Sequence, residues 1–385
     1  MLLHASSVFS RSSTAILNHI SQLAGQYSRH HLLFSLSPNV DASELSQLVQ
    51  NLTTFSSNTV GCLSAPVSMD MISCSLAIFD GNCIPFRSTI PGVPSPQVGR
   101  WHSFRKKDKD APFFEGEYRE GVDWEDVWSK RTATLELPDS LQDLQRDSVD
   151  ALIYFSDAAP EGLRSSFHTN FPTSSKLGFI PTSTPFITGR PVTLFQNQRI
   201  WDSGAVGVAL THAKDVRSML NYHGLVPLSS AMTVSESEGN LVNTLDRRNP
   251  TQLLLSAIRA HNLSATSLKT EEEFYLMTED TQVAYTITAG DPSRGTISLN
   301  TDQGPGVGSR VRFYHRPKSS SGRTLTFEKP RTTVFKFMVA DDGVSVQSDA
   351  VLEGLFFSAS ENGFLYQQHA ACTIPGATAT LEIEQ

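Results

Sequence analysis

The sequence has few cysteines, no long apolar run and no excess of basic residues. No pair of cysteines has the C-x-x-C spacing of zinc sites and redox dithiols. In a chain of 385 residues, four scattered cysteines are typical of a reducing compartment rather than of a disulfide framework. No apolar run approaches the roughly 20 residues that a membrane span requires, so we predict no membrane span.

The balance of charge argues against nucleic acid as a partner. The chain has 39 acidic and 31 basic residues, a net charge of −8. A nucleic-acid binder needs concentrated positive charge to displace counterions from phosphates. The one basic cluster, at 105–109, is interleaved with acidic residues and followed at once by more of them, a pattern typical of a solvated loop. We therefore predict no nucleic-acid partner.

Signatures of common enzyme classes are also missing. The sequence contains no G-x-S-x-G elbow, H-E-x-x-H motif, Walker loop or EF-hand spacing. His30 and His31 are adjacent, and neighbours on a strand face opposite sides of a sheet, so we predict no metal site. The composition, with 39% hydrophobic and 18% charged residues, is typical of a globular protein. The length of the chain predicts two or three domains.

Residues 1–30 allow two interpretations. The first 40 residues contain many serines and no acidic residue, a composition found in mitochondrial transit peptides. Ile16, Ile20 and Leu23 recur at helical spacing, which also predicts a helix that belongs to the fold. We therefore expect an intracellular protein, and the mitochondrion and the cytoplasm both stay open as its compartment.

Residues 31–62 predict a strand, a helix and a second strand. His31–Leu36 is typical of a short buried strand. Asp41 is a candidate helix cap. It precedes an apolar stripe of helical spacing formed by Leu45, Leu48, Val49 and Leu52. The second strand ends at 60–62. This succession predicts mixed α and β structure with some parallel pairing.

A second strand and helix follow later in the chain. Asp150–Phe155 predicts a buried strand that ends at Ser156 and Asp157. Residues 160–167 predict a short helix, and 177–210 supply two or three more strands. Glycine-containing segments interrupt these last strands.

Residues 84–131 are typical of an insertion. Four prolines open this stretch, and charged residues then alternate with aromatic ones. A long irregular segment of this kind is usually functional, for example as a lid over a binding site. Residues 131–137 then alternate as in an edge strand.

The last part of the chain changes character after residue 222. It predicts one helix, at Thr251–His261, and a series of strands. These strands are Val283–Thr288, Thr296–Leu299, Arg310–Tyr314, Thr324–Phe327 and Val334–Val339. The first two flank a turn that contains Pro292 and Gly295. We therefore predict two mixed β-sheet subdomains with flanking helices, at 31–221 and 222–385, with a small-ligand pocket between them.

Two strand ends carry candidate ligand-binding residues. In open α/β sheets, ligands bind beyond the carboxyl ends of the strands. Gly61, Cys62 and Ser64 follow one predicted strand, and Asp157 follows another. Glycine permits close approach of the backbone, and Ser and Asp offer hydrogen bonds. The alternative interpretation is that these are turn and cap residues.

Several short motifs follow one another along the chain in a characteristic order. They are Val60-Gly61-Cys62, Phe155-Ser156-Asp157, Trp201–Leu210, Val234, 239–246, Asp291-Pro292 with Gly295, and Gly308-Ser309-Arg310-Val311. In order and spacing the chain resembles the FIST family, whose FIST N and FIST C halves are found in intracellular signalling proteins. The resemblance extends from about residue 30 to about residue 365.

The resemblance implies a sensory or scaffold module that binds small molecules such as amino acids, and bacterial members are linked to haem and nitric-oxide sensing. The chain departs from the family in several places, among them the glycine- and acid-rich ending common in bacterial members, which it lacks. Ala359 replaces the late cysteine of a Phe-Ser-Cys context, 188–191 replaces paired glycines, and the insertion at 84–131 is unusual. We expect the protein partner that receives a signal to lie on another chain.

Three hypotheses of function follow. The first is a non-catalytic sensory module that binds a metabolite through Gly61, Cys62, Ser64, Asp157, Thr188, Gly189 and Arg190. In it, Arg190 would bind a carboxylate in bidentate fashion. The second is an enzyme of small-molecule metabolism that uses Cys62, Asp157 and His102, with 84–131 as its lid. The third is a pure protein-interaction scaffold, which predicts a large exposed apolar patch and no pocket.

Overall fold

The structure is a computed structural model that describes residues 2–90, 136–263, 273–290, 295–301, 303–317, 323–325, 330–341, 344–346 and 348–384. Within these residues the protein is a mixed α and β structure with several sheets and few helices, which confirms the predicted fold class at that level. No helix in the described ranges is long and apolar enough to cross a membrane.

The described residues form two compact units. The first unit contains those before position 94, those from Glu136 to Leu225 and those from Pro317 onward. The second contains those from Val226 to Arg316. Residues after 317 thus belong to the first unit, whereas the sequence analysis placed them together with 222–316.

Five α-helices, one short 3-10 helix (Asp139–Leu141) and 25 strands make up the regular structure of the described residues. The α-helices are α1 (Ser13–Tyr27), α2 (Ala42–Thr53), α3 (Glu161–Asn170), α4 (Pro185–Thr188) and α5 (Pro250–Ala260). The first strands of the first unit are β1 (Leu2–Ser10), β2 (His31–Leu36), β3 (Thr59–Leu63), β4 (Ile72–Phe79), β5 (Cys83–Ser88), β6 (Ala151–Ser156), β7 (Ser175–Phe179), β8 (Leu194–Gln196), β9 (Arg199–Trp201), β10 (Ala205–Leu210) and β11 (Lys214–Tyr222). The strands of the second unit are β12 (Val226–Pro227), β13 (Met232–Glu238), β14 (Leu241–Leu245), β15 (Glu273–Thr278), β16 (Ala284–Gly290), β17 (Ile297–Leu299) and β18 (Arg310–Arg316). The last strands of the first unit are β19 (Arg323–Thr324), β20 (Thr333–Val339), β21 (Val344–Ser345), β22 (Ala350–Glu353), β23 (Leu355–Ser360), β24 (Phe364–Tyr366) and β25 (Ala377–Glu384).

A seven-stranded sheet of the first unit has the order β22-β1-β4-β2-β3-β8-β9. Strands β2 and β3 are parallel and are connected by α2, as the sequence predicts. Helix α1 confirms the helix predicted from its apolar spacing. Both helices contribute their apolar faces to one core, which includes Ile16, Ile20, Phe34, Leu48 and Leu52.

A five-stranded sheet of the same unit has the order β24-β7-β6-β10-β5. Strands β6 and β7 are parallel and connected by α3, which confirms the second predicted strand and helix. Strand β10 is antiparallel to β6 and β5. The segment 201–210 therefore includes a fully buried central strand of this sheet.

Strand β5 corrects the start of the predicted insertion. Residues 84–88 belong to β5, and Pro85 lies opposite Val208 of β10. Proline is tolerated there because β5 is an edge strand, where the sheet does not require a hydrogen bond from the N–H that proline lacks. Residues 91–135, with most of the predicted insertion and most of the edge strand at 131–137, lie outside the described residues.

A four-stranded sheet, β11-β25-β20-β23, places the end of the chain in the first unit. Two buried serines connect its strand β23 to the seven-stranded sheet. Ser7 Oγ donates to the carbonyl of Leu355 at 2.8 Å, and Ser75 Oγ donates to that of Phe357 at 2.5 Å. Because β22 pairs with β1 and β24 pairs with β7, the last residues contribute strands to three sheets of this unit.

Phenylalanine rings from the five-stranded and the four-stranded sheets pack against one another. The ring centroids of Phe179 and Phe337 are 4.9 Å apart, and those of Phe155 and Phe356 are 6.4 Å apart. All four side chains are fully buried. Such pairs stabilise a core beyond the effect of their buried area.

The second unit is an antiparallel ring of strands. Strands β13, β14, β17, β16, β15 and β18 pair in succession, and β18 closes the ring because it pairs with both β15 and β13. Helix α5 confirms the predicted late helix, and Asn249 caps it by accepting the N–H of Gln252 at 2.9 Å. One core contains residues of the strands and of α5, among them Val234, Leu254, Ile258 and Phe313.

The other predictions for the last part of the chain have mixed outcomes. Strands β16 and β17 pair as the predicted hairpin requires, although 291–294 of its turn lie outside the described residues. Strands β18 and β20 confirm two further predictions. Of the strand predicted at Thr324–Phe327, only Thr324 lies in a described strand, and 326–329 are not described.

Candidate functional site

Three predicted site residues lie at the end of β3 and are buried. A Cβ atom at Gly61 would overlap the ring of Phe34. Cys62 is fully buried, and this burial raises the pKa of its thiol well above the usual range. Ser64 is 1% exposed, and its N–H donates to the carbonyl of Leu36 at 2.9 Å. The side chains of Cys62 and Ser64 fill the core, the ring of Phe34 occupies the space beside Gly61, and none of the three residues presents an open surface to a ligand.

Asp157 holds a turn between two strands. Its Oδ2 accepts the N–H of Gly204 at 2.5 Å, and its Oδ1 accepts the N–H of Ala159 at 3.0 Å. Its own N–H donates to the carbonyl of Gly204 at 2.9 Å. Both carboxylate oxygens therefore have backbone partners. This geometry supports the alternative interpretation of Asp157 as a turn residue.

Residues 188–190 form the end of α4. Gly189 has a φ of +74°, the left-handed conformation that commonly terminates a helix. Thr188 Oγ1 lies 2.8 Å from Thr193 Oγ1 and donates to the carbonyl of Thr184 at 3.2 Å. Arg190 Nη1 donates to the carbonyl of Thr188 at 3.3 Å. The three residues thus stabilise the loop that they form.

The structure brings the end of β3 close to the loop that contains α4. The N–H of Leu63 donates to the carbonyl of Thr193 at 3.1 Å, and the N–H of Thr182 donates to that of Leu63 at 3.2 Å. Ala65 pairs with Ala359, the residue in place of the family's late cysteine. Asp157 lies at the end of a strand of the other sheet, and His102 lies outside the described residues.

An open groove of about 740 Å³ runs between α2 and the segment that carries α4 and β9. It is lined by Pro38, Val40, Ala42, Leu45, Ser46, Val49, Gln50, Thr53, Thr54, Leu63, Phe186, Ile187, Thr188, Thr193, Phe195, Gln198 and Ile200. Of the predicted site residues, Thr188 lines this groove. A smaller hollow of about 420 Å³ shares Thr53 and Gln198 with it and contains Arg199.

The rim of the groove carries large apolar side chains in contact with water. Phe186 is 102% exposed, Ile187 49% and Ile200 45%. Leu45 and Val49, on α2, are half-buried. Exposed apolar surface of this kind is a candidate binding site for another molecule.

The lining of the groove is electrically neutral. Among the described residues that line it there is no Asp, Glu, Lys, Arg or His. The lining therefore offers no general acid or base for catalysis at neutral pH. The described lining also contains no His, Cys, Met or Tyr, the side chains that bind haem iron, so the haem that the family resemblance implies does not fit this part of the groove.

A polar cluster that the sequence analysis did not predict connects β1, α1 and β22. Ser6 Oγ lies 2.9 Å from Nε2 of both His4 and His19, and His4 Nδ1 lies 3.6 Å from Glu353. The ring of Tyr27 stacks on His4. Burial lowers the pKa of both imidazoles. Ser6 is fully buried inside a strand, so a substrate has no access to its hydroxyl group.

Sequence reasoning missed most of the groove for a physical reason. Its residues are ordinary aliphatic and hydroxyl side chains, which sequence patterns assign to cores and loops. One feature of the sequence did indicate the groove: the apolar stripe of α2 contains more residues than the core buries. Leu48 and Leu52 are buried in the core, which leaves Leu45 and Val49 to face the groove.

Comparisons with known proteins identify no family. No protein-family model matches the chain. No curated protein matches it either.

Proposed function

We propose that this chain is a non-catalytic regulatory module of the FIST type that binds a small molecule in the groove beside α2. The observation that carries the proposal is the groove itself. Its volume of about 740 Å³ lies within the range of ~300–1,000 Å³ that small-molecule sites occupy. Its mixture of apolar side chains with a few polar groups is also typical of such sites.

Binding is better supported than catalysis by the chemistry of the candidate residues. Cys62 is buried with a raised thiol pKa, so it forms little of the thiolate that acts as a nucleophile. Both oxygens of the Asp157 carboxylate accept backbone N–H groups. The two residues also lie on different sheets. An enzyme that uses Cys62 and Asp157 together is therefore not proposed.

A protein-interaction scaffold is the second candidate function. The full exposure of Phe186 favours it, because an exposed phenylalanine at a groove rim is an anchor that a protein partner would bury. The two candidates differ in one expectation. A scaffold without a small-molecule site shows no rise in melting temperature with any metabolite.

Four further predictions from the sequence are proposed independently of the groove. They are the pocket between the two subdomains, the contact of Arg190 with a carboxylate, a protein partner on another chain, and a mitochondrial or cytoplasmic compartment. The groove lies wholly within the first unit and depends on none of them.

A thermal-shift screen tests the proposal. The full chain is heated with amino acids, organic acids, neutral lipids and haem, each at several concentrations. A ligand that binds only the folded state raises the melting temperature, by an amount equivalent to about 2.7 kcal/mol at 100 times its Kd. We expect at least one small molecule to do so.

Two substitutions on α2 localise the effect. Ser46 is exposed and lines the groove, whereas Ser43 is exposed on the same helix and does not line it. Ser46→Trp fills the groove and is expected to abolish the ligand-dependent rise, and Ser43→Trp is expected to retain it. Equal loss or equal retention in both variants contradicts the proposed location.

A further inference from the structure

The groove lining points to the charge of its ligand, an inference that rests on the proposed function. None of the described residues that line the groove is charged, although charged residues make up 18% of the chain. We infer that the groove takes an uncharged ligand with an apolar body and one neutral hydrogen-bonding group, such as a hydroxyl, ester or amide. Free amino acids and simple carboxylates are outside this class.

The apolar body follows from the rim and floor of the groove. Phe186, Ile187 and Ile200 leave large parts of their side chains exposed to water. Leu63 and Phe195, which also line the groove, are buried and close its floor. A ligand that covers this surface removes apolar area from water on both sides of the contact, which is favourable. The ligand must therefore present an apolar surface of its own.

Most hydroxyl groups in the lining are already hydrogen-bonded within the protein. Thr53 Oγ1 donates to a carbonyl of α2 at 2.8 Å, and Thr54 Oγ1 donates to another at 2.7 Å. Thr188 Oγ1 and Thr193 Oγ1 share a hydrogen bond of 2.8 Å. These four hydroxyls contribute to the loop and the helix end, and their capacity to bind a ligand is reduced.

The two glutamines of the lining are the groups best placed to bind a polar part of the ligand. Gln50 and Gln198 both line the groove and are exposed, so their side-chain amides are accessible to a ligand. A carboxamide has one acceptor and two donors, so it pairs with a neutral hydroxyl, ester or amide without leaving a charge unpaired. This explains the neutral hydrogen-bonding group in the inference.

A charged ligand is disfavoured by the cost of desolvation. A carboxylate or an ammonium group that leaves water for an apolar surface requires an opposite charge or several hydrogen bonds in compensation. The described lining contains no opposite charge. A neutral group of similar size loses much less solvation. The groove should therefore discriminate by charge among ligands with the same apolar body.

Three compounds with one alkyl chain test the inference. Octan-1-ol, octanoate and octylammonium are titrated at pH 7 into the full chain labelled with ¹³C at isoleucine methyl groups. Ile187 and Ile200 report on the groove, and the buried Ile153 serves as a control. We expect octan-1-ol to shift the signals of Ile187 and Ile200, with a Kd at least about tenfold lower than those of the charged compounds.

A charge placed in the groove should reverse this preference. In Ser46→Lys, the new ammonium group lies at the groove, so the affinity for octanoate should rise about tenfold. The matched variant Ser43→Lys has the same net charge and should leave it unchanged. Both serines are exposed, so neither substitution disturbs the core.

The outcomes separate this inference from the proposed function. Equal affinity for the three compounds at Ile187 and Ile200, or an equal response of the two lysine variants, overturns the neutral-ligand inference and leaves binding in the groove intact. If neither these compounds nor any compound of the thermal screen shifts the two signals, the proposed function fails as well.

Discussion

Asp157 and Gly204 are joined by two hydrogen bonds, one in each direction. Asp157 Oδ2 accepts the N–H of Gly204 at 2.5 Å, and the N–H of Asp157 donates to the carbonyl of Gly204 at 2.9 Å. This pair connects the end of β6 to the beginning of β10. The carboxylate of Asp157 therefore stabilises the turn in the segment 201–210, which is one of the motifs that carry the family resemblance.

Removal of the Asp157 carboxylate should destabilise the protein. Asp157→Ala leaves the N–H groups of Gly204 and Ala159 without their acceptor, at a cost of about 1–3 kcal/mol. Asp202→Ala, at an exposed position in the same turn, should change stability by less than about 0.5 kcal/mol. Urea denaturation measures both values, and equal effects would contradict the role given to Asp157.

Two glycines with the same backbone conformation should respond differently to alanine. Gly204 has a φ of +75° and Gly189 a φ of +74°. A Cβ at Gly204 would overlap the carbonyl oxygen of Ser88, whereas nothing lies within 4 Å of one at Gly189. Gly189→Ala should cost about 1–2 kcal/mol, the price of the left-handed conformation alone. Gly204→Ala should cost clearly more, and chemical denaturation of both variants tests this order.

One buried lysine, Lys176, should contribute stability that rises with pH above 8. Lys176 is 3% exposed, and its ammonium group donates to the carbonyls of Phe171 and Ser174. Burial lowers its pKa from 10.5 to about 8. Between these values Lys176 is protonated in the unfolded chain and neutral in the folded chain, so its contribution to the stability of the folded state increases as the pH rises.

The variant Lys176→Met isolates this effect. From pH 8 to pH 10.5, the wild type should gain stability relative to the variant, by at most about 3 kcal/mol, since each pKa unit corresponds to about 1.4 kcal/mol. Urea denaturation at several pH values gives the difference. A difference that stays constant over this range would show that Lys176 titrates at its ordinary pKa.

Acid should weaken the first unit through the cluster around Ser6. Burial lowers the pKa of His4 and His19 below the ordinary value of 6.5, so below that pH the unfolded chain takes up protons first. The free energy of unfolding should therefore fall as the pH drops from 7 to 5. The double variant His4→Gln with His19→Gln should lose part of this dependence. His168→Gln, at an exposed position on α3, should retain it.

The elements that the sequence predicts best are those whose apolar side chains follow one local period. Strand β2 and helix α2 are examples, because their spacing alone distinguishes a buried strand from an amphipathic helix. The pairing of Ser6 with Glu353 could not be predicted, since it joins strands from opposite ends of the chain. For this reason the sequence did not place the residues after 317 in the first unit.

The candidate site was predicted only in part, for a related reason. Asp157 and Ser64 were predicted as site residues because polar residues at strand ends often bind ligands. In the structure Asp157 stabilises a turn, and Ser64 is buried in the core. The groove instead forms because one side of α2 is only partly covered by the rest of the protein and because the side chain of Phe186 is exposed to water. Both are properties of packing over long sequence distances. Thr188 is the predicted residue that lines it.

Calorimetric titration tests the central claim most directly. The compound that raises the melting temperature most in the screen is titrated into the wild type, Ser46→Trp and Ser43→Trp. The groove account predicts one molecule bound per chain in the wild type and in Ser43→Trp, with an affinity at least about tenfold weaker in Ser46→Trp. Unchanged affinity in Ser46→Trp would contradict the assignment of the ligand to this groove.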